Sequence, residues 1–391
     1  MKRNREGLAL LLTAMVVLTL AGLSCARKPA ETTATTPTGG AQVTPTKAAS
    51  APSGGAIKIG IITNAIAPFW DPMVVGMERA AKDPTAMPAL SGGVKLPADV
   101  EAAFRNITDM LLAEKKAKGS LPACEASWKG PQQGTLQEQR RLIDEYRASG
   151  VDAISISPRE SQPLTPVFDE MVKSGILVIC IDSDAPKSKR LAYIGTNNYE
   201  AGKVAGEAAA KVFGDQGAKL IGFVGDRGAE NAKERIRGFE EVAKEHKIEL
   251  ADVREDDADP AKARRNAEDA ITAFKDVNGF LGIWSYDAPQ ITQAVIAAGK
   301  QGKIKIVSFD AEPQTLVHLQ KKEIEATVVQ KPYLFGYFSV QLLYAMKVLG
   351  VEKVQAVLPA QGIIDTGVTV VTPGNISEFM KYLDSLGVKS S

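Results

Sequence analysis

The sequence predicts an α/β protein built from parallel, doubly wound sheets in two similar lobes. Three observations predict it. From residue 56 onward, apolar runs alternate with helical stretches. The runs are near-continuous and not alternating, as strands covered by helices on both faces require. Roughly a dozen such elements recur, too many for one sheet of about four to six strands. At 391 residues and 45% hydrophobic content, the chain can bury two sizeable cores.

The N-terminus predicts a targeting segment over residues 1–25. "MKRNRE" is a basic start, and Leu8 to Leu23 form an uncharged apolar stretch. That stretch matches a signal peptide and falls short of the roughly 20 residues a spanning helix needs. It ends at "LAGLSC", which resembles the bacterial lipoprotein signal, with Cys25 as the lipidated residue and Gly22 where leucine is usual. A plain secretory signal is the alternative. Residues 26–55, rich in Thr, Pro, Ala, Gly and Ser, read as a disordered tether between anchor and folded part. No later segment has the length and apolarity to cross a membrane.

The folded part opens with "AIKIGIIT", a strand, followed by a helix through "DPMVVGMERAAK". Between them stands "NAIAPFW", in which Phe69 and Trp70 sit side by side where the strand ends. The rhythm then breaks over residues 83–120. "DPTAMPALSGGVKLP" is loop-like, and "ADVEAAFRNITDMLLAEKKAKG" is an amphipathic helix with a basic last turn and a stop glycine, read as a surface decoration. After the strand "PACEASW" the alternation resumes. "VDAISISP" leads to "PLTPVFDEMVKSG", and "ILVICID" leads to "AYIGT" and the helix "NYEAGKVAGEAAAKVFG". "KLIGFVGD", "GFLGIWSYD" and "KIKIVSFD" each precede a further helix, so strand–helix–strand units repeat and imply right-handed crossovers.

Strand ends carry the functional signal. Asp182, Asp226, Asp287 and Asp310 each close an apolar run. In open α/β sheets ligands bind outside the carboxyl ends of the strands, where carboxylates accept strong hydrogen bonds from a polyhydroxylated ligand. Aspartate is also a preferred helix N-cap, and each of these precedes a helix. Capping explains any one of them as well as ligand binding does; four together favour a site.

Several classes are excluded or unsupported. Lys+Arg 47 against Asp+Glu 46 gives no basic face for nucleic acid. Only two histidines occur, His246 and His318, both in lysine-flanked helical contexts that read as solvated surface. Histidine metal sites and Ser-His-Asp chemistry are therefore poorly supplied. "EDDADP" at 255–260 lacks the spacing of an EF-hand loop, and no phosphate loop, dinucleotide fingerprint or G-x-S-x-G elbow is present. In Cys180, inside "ILVICID", a buried thiol outweighs a disulfide with Cys124.

From about residue 57 on, the chain resembles the periplasmic sugar-binding proteins of the ribose/galactose type, the substrate-binding components of ABC importers. The carrying stretches are "APFWDPMVVGMERAAK", "ILVICIDSDAPKSKRLAYIGTNNYEAGKVAGE", "GFVGDRGAENAKERIRGF", "GIWSYDAPQ", "IVSFDAEPQTL" and "ATVVQKPYLFGY", in the family's order. The resemblance implies two Rossmann-like lobes joined by three hinge strands, which clamp a sugar as they close. The first lobe would take residues 56–196 and 331–360, the second 197–330 and 361–391, with crossings near Gly195–Asn198, Gln330–Lys331 and 359–363.

By that resemblance, Phe69 and Trp70 would pack against the sugar ring; because neighbouring residues face different ways, one ring is read as partly structural and Trp70 as the more exposed. Asp182 and Asp310 would accept from hydroxyls, Arg235 would reach ring and hydroxyl oxygens, and Gln330 is the hinge glutamine. Ser183, Asp184, Tyr286 and Asp287 complete the expected set. The chain departs from the pattern at Ala67 (usually Asn or Asp), Ser183 (usually Arg), Tyr286 (usually Asn) and Ala258 (usually aromatic). The expectation is a non-enzymatic, monomeric, extracytoplasmic solute-binding protein without cofactor or metal, held to the membrane only through its lipid anchor. It would deliver a mono- or small oligosaccharide to an ABC permease. The alternatives are the same fold feeding a receptor or kinase, or a non-sugar polyol or nucleoside-like ligand.

Overall fold

The apolar runs become the strands of two six-stranded sheets in a computed structural model that describes residues 55–90 and 94–388. The signal segment, Cys25 and most of the tether lie outside the described residues. The chain begins with β1 (Ile57–Ile62), α1 (Asp71–Lys82), α2 (Ala98–Lys118), β2 (Cys124–Lys129), α3 (Leu136–Ala148), β3 (Ala153–Ile156), α4 (Ser161–Lys173), β4 (Leu177–Ile181) and β5 (Tyr193–Gly195). The second series follows: α5 (Asn198–Phe213), β6 (Ala218–Val224), α6 (Glu230–Glu245), β7 (Ile248–Glu255) and α7 (Pro260–Ala273). It continues with β8 (Gly279–Gly282), α8 (Asp287–Ala297), β9 (Lys305–Phe309), α9 (Pro313–Gln320) and β10 (Ala326–Val329). Last come α10 (Pro332–Leu349), α11 (Val351–Gln355), β11 (Ile363–Asp365), β12 (Thr369–Val371) and α12 (Ile376–Ser385).

The sheet orders are β11-β5-β4-β3-β1-β2 and β12-β10-β9-β8-β6-β7, so the second sheet repeats the first. Every ladder is parallel except β10–β12. β3, β4 and β8 are buried along their whole length, which is why they read as unbroken apolar runs. β7 lies at an edge and is half-exposed; its "IELADVRE" mixes acids with apolar residues and carries no such signal.

The chain passes between the sheets after Gly195, between Val329 and Pro332, and between Asp365 and Thr369. The third passage corrects the expectation of 359–363. Gln361 and Gly362 both turn the chain through positive φ, after which Ile363–Asp365 pair with Tyr193–Gly195 in the first sheet. Thr366 N–H then donates to the Gly195 carbonyl at 2.8 Å.

Helix α2 is more than a surface decoration. Phe104, Ile107 and Leu111 are fully buried, and Phe104 stacks on Phe338 of α10 with centroids 3.7 Å apart. Gln341 of α10 donates to the Ala86 carbonyl at 2.8 Å, fastening the preceding loop.

Each lobe carries a close helix pair held together by glycines. A Cβ on Gly76 (α1) would lie 2.0 Å from the Tyr333 carbonyl oxygen, and one on Gly336 (α10) would lie 2.0 Å from that of Met73. In the second lobe, a Cβ on Gly202 (α5) would lie 2.2 Å from the Arg235 carbonyl oxygen, and one on Gly238 (α6) 2.0 Å from that of Tyr199. Only glycine lets backbones approach this closely.

Cys124 and Cys180 are both free. They stand on β2 and β4, with β1 and β3 between them. At about 4.8 Å per strand that separation is far beyond disulfide reach. His246 is exposed as read, but His318 is mostly buried and its Nδ1 lies 2.7 Å from Glu323 Oε2.

Candidate functional site

Asp182 and Asp310 occupy matching places, one residue beyond β4 and β9. Both have left-handed backbones, with φ of 58° and 67°, a conformation that aspartate tolerates better than most residues. Tyr193 Oη donates to the Asp182 carbonyl at 2.8 Å, and Thr327 Oγ1 donates to the Asp310 carbonyl at 2.6 Å. Neither aspartate is the N-cap of a helix: α5 is capped by Asn197, and Glu312 precedes α9. The turn at each strand end leaves the carboxylate buried.

The Arg235 charge acts on both carboxylates. Arg235 is 2% exposed, against 6% for Asp182 and 4% for Asp310. Its Nε donates to Asn198 Oδ1 at 3.0 Å and its Nη1 to the Ile283 carbonyl at 2.8 Å. The guanidinium stacks over Phe309, 4.5 Å from the ring centroid. The rest of its fork, Nη2 included, bonds no described residue. Burial pushes the Asp182 carboxyl up to about 6; the Arg235 charge and a hydrogen bond from Ser157 oppose that rise, and the neighbouring Asp310 adds to it. Asp310 is raised for the same reason, burial, with Arg235 and Gln330 opposing.

Gln330 completes the group. Its Nε2 lies 3.2 and 3.3 Å from the two Asp310 carboxylate oxygens, while its Oε1 is buried without a hydrogen-bond partner. Asn231 Oδ1 on α6 and Trp284 Nε1 after β8 are likewise buried and unpartnered. Buried polar atoms are normally satisfied.

The remaining expected residues divide. Phe69 is half-buried and meets Trp70 edge-on, with centroids 4.9 Å apart. Trp70 is 2% exposed, which reverses the expectation that it would be the more open ring. After Pro68 the chain forms a single 3-10 turn, closed by Trp70 N–H on the Ala67 carbonyl at 3.0 Å, and this rotates the indole into the first core. Ser183 Oγ donates to Asp182 Oδ2 at 3.4 Å and stays with the site. Asp184 is instead engaged by Arg190, whose Nη2 lies 2.6 Å from Oδ2, and it caps Ala185 N–H. Tyr286 Oη donates to Asp256 Oδ1. Asp287 accepts from Trp284 N–H at 2.8 Å and faces Asp256, with burial raising both carboxyls. Tyr286 is thus committed to Asp256 and one Asp287 oxygen to Trp284, while Asp256 Oδ2 and Asp287 Oδ1 are buried without a hydrogen-bond partner. Asp226 is exposed and accepts from Gly228 N–H, so there the turn-forming role wins.

Trp70→Ala should therefore destabilise the protein by about 3–5 kcal/mol, the usual cost for a large buried aromatic. Phe69→Ala should leave stability nearly intact but weaken ligand binding about tenfold, the scale of a lost ring contact. Thermal melts and calorimetric titration of the two variants separate these roles.

Comparison with known proteins decides the family. The periplasmic binding protein domain matches residues 112–350. The chain belongs to that family. Over 217 residues this periplasmic binding protein is 30% identical to the ribose import binding protein RbsB of Escherichia coli K12, covering 56% of this chain and 72% of the relative. It is 26% identical over 243 residues to the D-ribose/D-allose-binding protein of Pseudomonas aeruginosa, covering 60% and 74%. Among solved structures, GanP, a glucose-galactose binding protein from Geobacillus stearothermophilus, matches with TM-score 0.64 and 26% identity over 82% of this chain and 98% of that one. An ABC transporter solute binding protein from Burkholderia graminis in complex with D-arabinose matches with TM-score 0.66 and 25% identity, covering 83% and 98%. The relatives are binding proteins, and the family is extracytoplasmic.

Sequence reasoning missed several residues of this periplasmic binding protein's cleft. Ser157 follows β3 and donates to Asp182 Oδ2 at 3.1 Å; its signal was its place at the end of "AISIS". Asn198 and Asn231 sit at helix starts, where capping hides any second role. Lys331 is 6% exposed in the hinge. Its ammonium donates to the carbonyls of Lys95 and Thr366, both at 2.7 Å, and burial brings it down to about 8. It ties two hinge passages to the loop before α2.

Proposed function

We propose that this protein clamps a neutral mono- or small oligosaccharide between its two lobes and delivers it to the permease of an ABC importer. The observation that carries the reading is the group Asp182, Arg235, Asp310 and Gln330. It buries acceptors from both sheets around a guanidinium whose fork is partly uncommitted and an amide oxygen with no partner. Sugar hydroxyls donate and accept at once, so one ring satisfies carboxylates, guanidinium and amide together. Phe69 adds an apolar wall for the C–H face of the ring. Exclusion of water strengthens each of these bonds, and affinity is then a shift between open and closed lobes. The names of the relatives support import as the purpose. Cys25 would hold the protein at the membrane through a lipid, with residues 26–55 as the tether. The site needs no cofactor, and a monomer suffices because every residue of the group comes from one chain.

The test is a thermal-shift screen against mono- and oligosaccharides, polyols and nucleosides, followed by calorimetry of the best ligand across pH. Stabilisation by a neutral sugar is expected; a shift with nucleosides and none with any sugar would overturn the substrate class. The pH dependence has a definite sign. The Asp182 pKa is raised by folding, so its contribution to stability is present below the unfolded value of about 3.9 and is lost as pH rises through about 6. A ligand that donates to the carboxylate favours the ionised form. Affinity should therefore fall as pH drops from 7.5 through about 6 to 5, and Asp182→Asn should bind more weakly with a flatter profile.

A further inference from the structure

We propose that the ligand is not a bare sugar but a glycoside whose flat apolar aglycone enters a cavity beside the polar group. This rests on the reading that the Asp182–Arg235–Asp310 group holds the sugar ring. The cavity has a volume of about 530 Å³ and shares Phe69, Asp310 and Gln330 with that group. It is of the size that accepts drug-sized ligands, about 300–1,000 Å³, and offers more room than one sugar ring fills. Beyond the shared residues most of its lining is apolar or aromatic, with Val75 from α1, Tyr333 from α10, Phe379 and Tyr382 from α12 and Leu386 just past that helix, while Asp71, Ser285, Glu312 and Lys331 also reach it.

Helix α12 makes the cavity. It is held to the first lobe by Arg79 of α1, whose Nη2 donates to the Ser385 carbonyl at 3.2 Å. Gln320 of α9, in the second lobe, donates to Met380 Sδ at 3.0 Å. The helix thus bridges both lobes and turns its apolar face toward the cleft. The aliphatic and aromatic part of that lining, where α12 stands, offers a water molecule few hydrogen bonds, and an apolar group there gains dispersion contacts. The polar end fixes the orientation. Gln330 Oε1, buried and unpartnered at the boundary, awaits a hydroxyl of the ring, which directs the substituent toward α12.

The experiment is calorimetric titration of the purified chain with free sugars and with matched methyl and phenyl glycosides, both anomers, of glucose, galactose, arabinose and xylose. At least one phenyl glycoside should bind about tenfold or more tighter than its methyl counterpart. Val75→Phe, which fills the cavity from α1, should abolish that gain and leave methyl glycoside affinity within about threefold. Tyr382→Ala, on α12, should give the same selective loss if the first variant does not fold. Equal affinity within every methyl–phenyl pair, or a gain that survives both variants, overturns the proposal and leaves the sugar reading standing. Failure of every free sugar and glycoside to bind removes both.

Discussion

Arg235→Ala is expected to lower sugar affinity by about a hundredfold or more and to destabilise the ligand-free protein by about 3 kcal/mol or more. The first figure follows from losing two hydrogen bonds to a charged group, at about 1.5–3 kcal/mol each. The second follows from leaving partners of a buried charge uncompensated, at about 3–5 kcal/mol. Arg235 also supplies the positive charge that opposes the burial-driven rise of both Asp182 and Asp310. Without it both carboxyls take up protons more readily, so the variant's residual binding should weaken at a higher pH than in the parent. Arg235→Lys keeps the charge but not the fork that reaches Asn198 and the Ile283 carbonyl. It should recover part of the stability and little of the affinity. Calorimetry with thermal melts checks both figures. Affinity within about threefold of the parent would show that the guanidinium does not touch the ligand.

Gly202→Ala should produce a comparable loss without altering any side chain of the site. The added Cβ would sit 2.2 Å from the Arg235 carbonyl oxygen and 2.9 Å from its Cα. Backbone cannot rotate aside as a side chain can, so α5 and α6 must separate. Overpacking of a tight core costs about 1–3 kcal/mol, and a clash with main chain belongs at or above the top of that range. Since α6 carries Arg235, the shift moves the guanidinium relative to Asp182 and Asp310, and affinity falls together with melting temperature. Gly76→Ala is the matched control. Its Cβ would meet the Tyr333 carbonyl oxygen at 2.0 Å, between α1 and α10. It should lower the melting temperature to a similar degree but leave Arg235 in place. If Gly202→Ala melts early and still binds as the parent does, the helix crossing does not position the arginine.

These residues also show what was readable in the chain and what was not. β3, β4 and β8 were legible because burial on both faces forces continuous apolar runs. β7 was not, because an edge strand facing solvent imposes no such pattern. Asp182 and Asp310 were legible as strand-end acids, yet Asp226 and Asp287 carry the same local signature and do other work. Phe69 and Trp70 could be located but not told apart. A single 3-10 turn decided which ring entered the core, and nothing local to "APFW" specifies where α10 will stand.

The sequence by itself determined the two mostly parallel sheets, their duplication and the strand ends at which a ligand site must lie, because those follow from hydrophobic patterning along short stretches. Only the tertiary structure decided which strand-end acids share Arg235, which aromatic stays open, and that α12 closes a cavity beside the site. Those outcomes depend on contacts between segments far apart in the chain. Phe69 meets Phe335, Asp310 meets Gln330, and Arg79 reaches Ser385; no window of neighbouring residues encodes where such partners come to rest.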